Sequence, residues 1–248
     1  MDGASGQGAR KRHSGVDSDD EQRSTGAPDA VTGCRVGCHT ALVSVTMSTP
    51  MNAASRSDTR RALRERRRAL APCARRVAQK RITRELLRLG AYRRARRVAV
   101  YFAIDGEVDL TLLIRDARAR HKSVYVPVLT GERLGFVELR LHTPLTRNRY
   151  GIPEPRSRRQ IDPRTLDIVL TPLVAFDRHG TRLGMGKGYY DRSFGFLMPR
   201  TRWVRPKLVG VGFAFQALQT IAARPWDVRL WAAVTDAGAH AFETELES

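Results

Sequence analysis

The chain has 248 residues, 42% of them hydrophobic, and carries 44 Lys and Arg against 25 Asp and Glu, a formal charge of +19. That length can bury one sizeable core, and no stretch approaches the roughly 18 consecutive apolar residues that a membrane span needs. Three cysteines, Cys34, Cys38 and Cys73, exclude a disulfide framework, and no charged-then-apolar leader opens the chain, so a reducing cytoplasm is the expected compartment.

Residues 1–55 are rich in Gly, Ser, Ala and Asp and show no sustained apolar period. They bury too little surface to offset their ordering entropy, and a disordered extension is expected there. Cys34, Cys38 and His39 lack a second ligand pair, which argues against a metal site. Met47 and Met51 offer later starts. A helix is predicted over 58–70, capped by Ser57, and a second over 72–89 beginning at Pro72. Ala74, Ala78, Ile82 and Leu86 recur every four residues along the second, and Gly90 is a fit stop. The remaining faces are basic, since residues 56–97 hold 17 Arg and Lys against 3 acids. A field of that sign draws polyanions, nucleotides and nucleic acid alike.

Residues 97–103 are apolar after Arg97, as a strand covered on both faces is. Leu110, Leu113, Ile114 and Ala117 mark a helix, and 123–129 a second strand. This βαβ unit sets the fold class: α/β, with a mixed, largely parallel sheet and helices on both faces, an open three-layer, Rossmann-like arrangement with the basic helices across one side. Ligands of such sheets gather beyond the carboxyl ends of the strands, which brings 102–107 to the rim of a site. Residues 134–139 form a further short strand and 143–159 are loop-rich. Residues 166–176 read as one buried strand, followed by strands at 207–215 and 232–235. The end of the chain, from Asp236, reads as a polar tail; the domain is bounded at 56–240, with 241–248 outside it.

The most informative stretch runs from Asp177 to Arg192: Asp-x-x-Gly-x-Arg-Leu-Gly-x-Gly-x-Gly-Tyr-Tyr-Asp-Arg. It follows the strand at 166–176 and precedes a predicted helix at 189–197. Gly184, Gly186 and Gly188 remove every second side chain, so backbone amides can approach an anion closely. A helix start behind the loop adds a favourable dipole. Arg182 and Lys187 supply positive charge, and Asp191 the one carboxylate there able to share a magnesium ion with phosphates. Neither the spacing of a P-loop nor that of the dinucleotide fingerprint is present. The chemistry indicated is nucleotide-phosphate binding.

This loop resembles the signature of the 5-formyltetrahydrofolate cyclo-ligase family. The resemblance extends from about residue 60 to about 235, through Val98-Ala-Val-Tyr-Phe, Asp105-Gly-Glu, Gly151-Ile-Pro-Glu-Pro and Leu170-Thr-Pro-Leu-Val-Ala-Phe-Asp. It implies ATP- and Mg2+-dependent closure of 5-formyltetrahydrofolate, with or without a glutamate tail, to 5,10-methenyltetrahydrofolate by way of an iminium phosphate. It also implies that Arg60 and Arg64, a basic pair four apart, meet ATP together with Arg182, Leu183, Gly184, Met185, Gly186, Lys187, Gly188, Tyr189 and Tyr190. Lysine is common in the family at the first place of that pair, so Arg60 is a departure. Phe102 and Glu107 are implied to hold the pterin, with 185–189 also facing the substrate. Asp191 and Asp227 are implied as magnesium ligands. Tyr189, Lys187 and Arg182 are the expected catalytic residues, and the pattern accepts either glycine or lysine at 187. No protein nucleophile is evident, and a monomer is expected. The rival from another class is a nucleic-acid-binding protein using the arginine-rich helices, but no aromatic residue lies between Ser55 and Gly90 to stack on bases.

Overall fold

The computed structural model describes residues 55–157, 159–199 and 205–242. The extension, the Cys34-Cys38-His39 cluster and both alternative starts lie outside them. Helix α1 (Arg56–Arg68) opens the described chain. Its cap is Ser55 rather than Ser57: the Ser55 hydroxyl accepts from the Asp58 amide at 3.2 Å, so the helix begins two residues earlier than expected. Ser55→Ala should lower stability by about 1 kcal/mol in urea unfolding, as loss of one cap does.

Helix α2 (Pro72–Arg88) matches expectation, with Pro72 in its first turn. Ile82 and Leu86 are wholly buried and Ala78 packs beside them, whereas Ala74 is exposed. Burying each of the two large side chains contributes about 2 kcal/mol. Gly90 does not stop the helix in a left-handed turn. Leu89 turns extended instead (φ −61°, ψ 119°), and Gly90 starts a short helix, α3 (Gly90–Arg94).

The chain then alternates. Strand β1 (Arg97–Ala99) leads through α4 (Thr111–Ala119) to β2 (Ser123–Thr130) and β3 (Arg133–Glu138). A separate ribbon follows, β4 (Leu145–Arg147) with β5 (Pro153–Pro155), before β6 (Gln160–Ile161). Strands β7 (Ile168–Pro172), β8 (Ala175–Asp177) and β9 (Arg182–Leu183) precede α5 (Tyr189–Phe194). The remainder is β10 (Lys207–Val211), β11 (Ala217–Leu218), β12 (Ala232–Thr235) and β13 (Gly238–Ala241).

The main sheet has eight strands in the order β13-β12-β10-β7-β1-β2-β3-β6. The five from β12 to β2 are parallel, and the outer three pair antiparallel. Alternation along each strand divides the core. Val98, Val126, Ile168, Val209 and Val234 face α2, α3 and α4, while Ala99, Tyr125, Val169, Leu208 and Ala233 face α5. Helices therefore cover both faces, with basic α2 on one of them. No helix among the described residues is long and apolar enough to cross a membrane.

Two further expectations are corrected. Residues 166–176 are two strands in two sheets: the main sheet ends at Pro172, which has no amide to donate, and β8 joins β9 and β11 in a three-stranded sheet. The carbonyls freed at the bend are taken up by Gln216, whose Nε2 donates to Leu173 and Val174 at 3.1 and 2.8 Å. The expected polar tail contains β13, antiparallel to β12, and the Phe242 ring stands 6.1 Å from that of Phe176.

Candidate active site

The break after β7 places the glycine loop at the carboxyl end of the parallel strands. Asp177, at the head of the signature, is buried and accepts from the amides of His179, Thr181 and Ile221 at 2.8–2.9 Å. It scaffolds the turn. Gly180 has φ +76°, and a side chain there would meet the Leu230 carbonyl at 2.9 Å. From this base the loop 184–188 projects, with Gly186 at φ +95° and Gly188 at +67°. Helix α5 behind it has only six residues, so its dipole adds less at the loop than expected.

The loop forms one wall of a cavity of about 490 Å³. Among the nominated residues, Gly184, Met185, Gly186, Lys187, Gly188, Tyr189 and Tyr190 line this wall, with Arg182 and Asp191 beneath. Leu183 does not line the cavity: its side chain points the other way, 1% exposed, packing with Ala175 and Ile221. Helix α1 supplies the facing wall with Arg56, Arg60 and Arg64. Arg60 Nε donates to the Gly184 carbonyl at 2.8 Å, tying helix to loop. Partial burial and the neighbouring charges of Arg56 and Arg224 push its guanidinium pKa down.

The far end is less polar. Phe102, half-buried, and buried Glu107 lie there with Tyr101, Pro127 and Ile152. Burial pushes the Glu107 carboxyl up to about 7, against the opposing pull of the Arg67 cation and a 3.2 Å hydrogen bond from the Ile104 amide.

Both proposed metal ligands face the cavity, each already paired. Asp191 Oδ1 accepts from Arg182 Nη2 at 2.9 Å and from the Val228 amide at 3.3 Å. Asp227 Oδ2 accepts from both Nη atoms of Arg56 and from the Arg224 amide, all at 3.0 Å. Among the described residues no cluster of three or more His, Cys, Asp or Glu is placed to hold a metal. Two carboxylates suit a magnesium ion that arrives with phosphate oxygens, because Mg2+ is usually held by one or two carboxylates plus substrate phosphates.

Sequence reasoning missed Arg56, Arg224 and Trp226, and also the ribbon tip, where Arg149 and Tyr150 both bond to the Tyr189 hydroxyl. Hydrogen bonding from Tyr150, then from Arg149, together with nearby cations, pushes the Tyr189 phenol pKa down. The matching Gly151-Ile-Pro-Glu-Pro segment was the available signal for that tip, since Glu154 anchors it by accepting from the Leu129 amide and Asn148 Nδ2.

Fold and cavity together define a class: an open α/β protein with a glycine-built, arginine-faced cleft at the carboxyl ends of its parallel strands. The profile of the 5-formyltetrahydrofolate cyclo-ligase family matches residues 52–236. The chain is 36% identical over 188 residues to the 5-formyltetrahydrofolate cyclo-ligase of Haemophilus influenzae, covering 73% of this chain and 97% of that one. It is also 36% identical to the Escherichia coli K12 enzyme of the same name, over 70% of this chain and 96% of the relative. The solution structure of Aquifex aeolicus 5,10-methenyltetrahydrofolate synthetase superposes with a TM-score of 0.66 at 30% identity, over 78% of this chain and 96% of that one. The chain belongs to the 5-formyltetrahydrofolate cyclo-ligase family and is an enzyme of that ligase class.

Proposed function

We propose that the protein closes 5-formyltetrahydrofolate to 5,10-methenyltetrahydrofolate at the expense of ATP, as a cytoplasmic monomer that takes the folate with or without a glutamate tail. The observation that carries this reading is where unsatisfied polarity falls. Among the described residues, the buried side-chain polar atoms without a partner are Arg56 Nε, Tyr101 Oη and Arg182 Nε, and all three residues line this one cavity. Native proteins leave few such groups, and a cleft that gathers them is built for a polar ligand.

The proposed chemistry asks for no protein nucleophile. The formyl oxygen attacks the γ-phosphorus of ATP and ADP departs. N10 then attacks the resulting iminium carbon, the carbon–oxygen bond to phosphate breaks, and the N10 proton is lost. The amides of 184–188 with Arg60, Arg64, Arg182 and Lys187 hold and neutralise the phosphates. Phe102 packs on the pterin and Glu107 accepts from its polar edge, while Tyr189 stands beside the formyl group. Asp191 and Asp227 are the residues that would hold magnesium, whose contribution is neutralising charge on the transferred phosphoryl group. The direct test is purified protein with ATP, Mg2+ and 5-formyltetrahydrofolate: methenyl absorbance that rises only when all three are present supports the reading, and none with any nucleotide sinks it.

The surface charge provides a further expectation. Arg93, Arg94 and Arg96 are exposed on and just after α3, whereas Arg64 lines the cavity. Arg64→Gln should raise the Michaelis constant for ATP about tenfold, the scale of one charged hydrogen bond. The triple change of Arg93, Arg94 and Arg96 to Gln should leave the steady-state constants near wild type. Equal effects would mean that the basic field acts as a whole and that the Arg64 assignment is wrong.

A further inference from the structure

We propose that Arg67 is a positioning residue of this enzyme: from its buried place on helix α1 it locks the 105–107 turn to that helix and so holds Glu107 in place for the folate. Arg67 lies on α1 three residues beyond Arg64, yet it is 1% exposed. A guanidinium withdrawn from water needs its hydrogen bonds supplied by the protein. Nε donates to the Asp105 carbonyl at 2.9 Å, Nη1 to the Leu173 carbonyl at 3.2 Å and Nη2 to Asp105 Oδ2 at 2.9 Å. The same Nη2 stands 3.9 Å from Glu107 Oε1. One planar fork thus meets three segments: the nucleotide-side helix, the folate-side turn and the bend after β7 from which the glycine loop is carried.

The turn needs holding. Asp105 is a non-glycine residue at φ +50°, a conformation L side chains adopt uncommonly. Its carboxylate is gripped by Arg64 at 2.7 Å, Arg67 at 2.9 Å and Arg68 at 3.3 Å, while Arg75 of α2 donates to the Gly106 carbonyl at 2.6 Å. Asp105 Oδ2 is shared by Arg64 and Arg67, so the same oxygen that aims Arg64 at the phosphate end also fixes the turn carrying Glu107. The charged and titratable groups facing Glu107 are Arg67 and Arg64 from α1, Asp105 from its own turn, Tyr101 after β1 and Tyr190 from α5. Arg67 is the strongest of the cations. It favours the ionised carboxylate, and its removal moves the Glu107 titration upward.

The proposal rests on the pterin edge lying at Glu107, and the test separates the two ideas. Binding of 5-formyltetrahydrofolate without ATP is measured by calorimetry from about pH 6 to 9, spanning the range where such a carboxyl titrates. Wild-type affinity should fall as pH drops through about 7, where Glu107 gains its proton. Arg67→Gln should shift that midpoint upward by about one pH unit. Arg67→Lys keeps the charge but loses the fork, and should leave the midpoint in place while weakening folate binding about tenfold. Should Arg67→Gln fail to fold by circular dichroism, Arg67→Lys decides: wild-type affinity there overturns the proposal. A Glu107→Gln protein that keeps the wild-type pH profile overturns the pterin placement and this proposal with it. Loss of pH dependence in Glu107→Gln, with an unmoved midpoint in folded Arg67→Gln, overturns the proposal alone.

Discussion

Gly186→Val is expected to abolish measurable ATP binding while 5-formyltetrahydrofolate still binds, at least weakly. Gly186 sits at φ +95°, and a Cβ there would lie 3.6 Å from the Arg60 guanidinium carbon. That is ordinary contact, so the protein has room for the atom itself. The obstruction comes from elsewhere: a β-branched residue cannot hold that backbone conformation without a cost of about 1–3 kcal/mol, and its side chain stands in the cleft between loop and helix where phosphate is proposed to lie. The end proposed to hold the pterin is lined by the segment after β1 and should be spared. Calorimetric titration of each ligand checks both halves, and normal ATP affinity would sink the loop reading.

Asp191→Asn should act differently, retaining nucleotide binding but losing at least about 100-fold in turnover, the scale of removing one strong electrostatic contact in a transition state. The amide keeps an oxygen able to accept from Arg182 and the Val228 amide, so the local fold should survive. What it loses is the negative charge a magnesium ligand supplies. Single-turnover assays at saturating ATP decide this, and a near-normal rate would remove Asp191 from the metal assignment.

How far these sites were legible in the chain follows from locality. The glycine loop, Arg182, Lys187 and Asp191 lie within a dozen residues, so the expectation of an anion site there needs only local spacing, and the structure brings all of them to one cavity. The parallel core was equally visible, because strands buried on both faces, such as that at Val98, are continuously apolar. Arg56, Arg67 and Arg149 were not distinguishable from the many arginines around them. Only tertiary packing buries one, turns another to the cleft and brings the third to Tyr189. Asp177 illustrates the reverse difficulty: it heads the signature, yet its carboxylate is consumed by two amides of its own turn and by the distant Ile221 amide. Strand β13 escaped notice because Gly238-Ala-His-Ala has little apolar character, and its place comes from pairing with β12.

The ion pairs that line the cleft, Arg56 with Asp227 and Arg182 with Asp191, bear on the ligand proposed for it. An incoming anion that draws either arginine toward itself strands a carboxylate behind it, and an incoming cation that captures a carboxylate strands an arginine. Each ion alone breaks one ion pair and leaves a charge without its counter-charge, although the Arg224 and Val228 amides still donate to the two carboxylates. The proposed ligand, a nucleotide phosphate with its magnesium, delivers both signs together and leaves neither charge uncompensated.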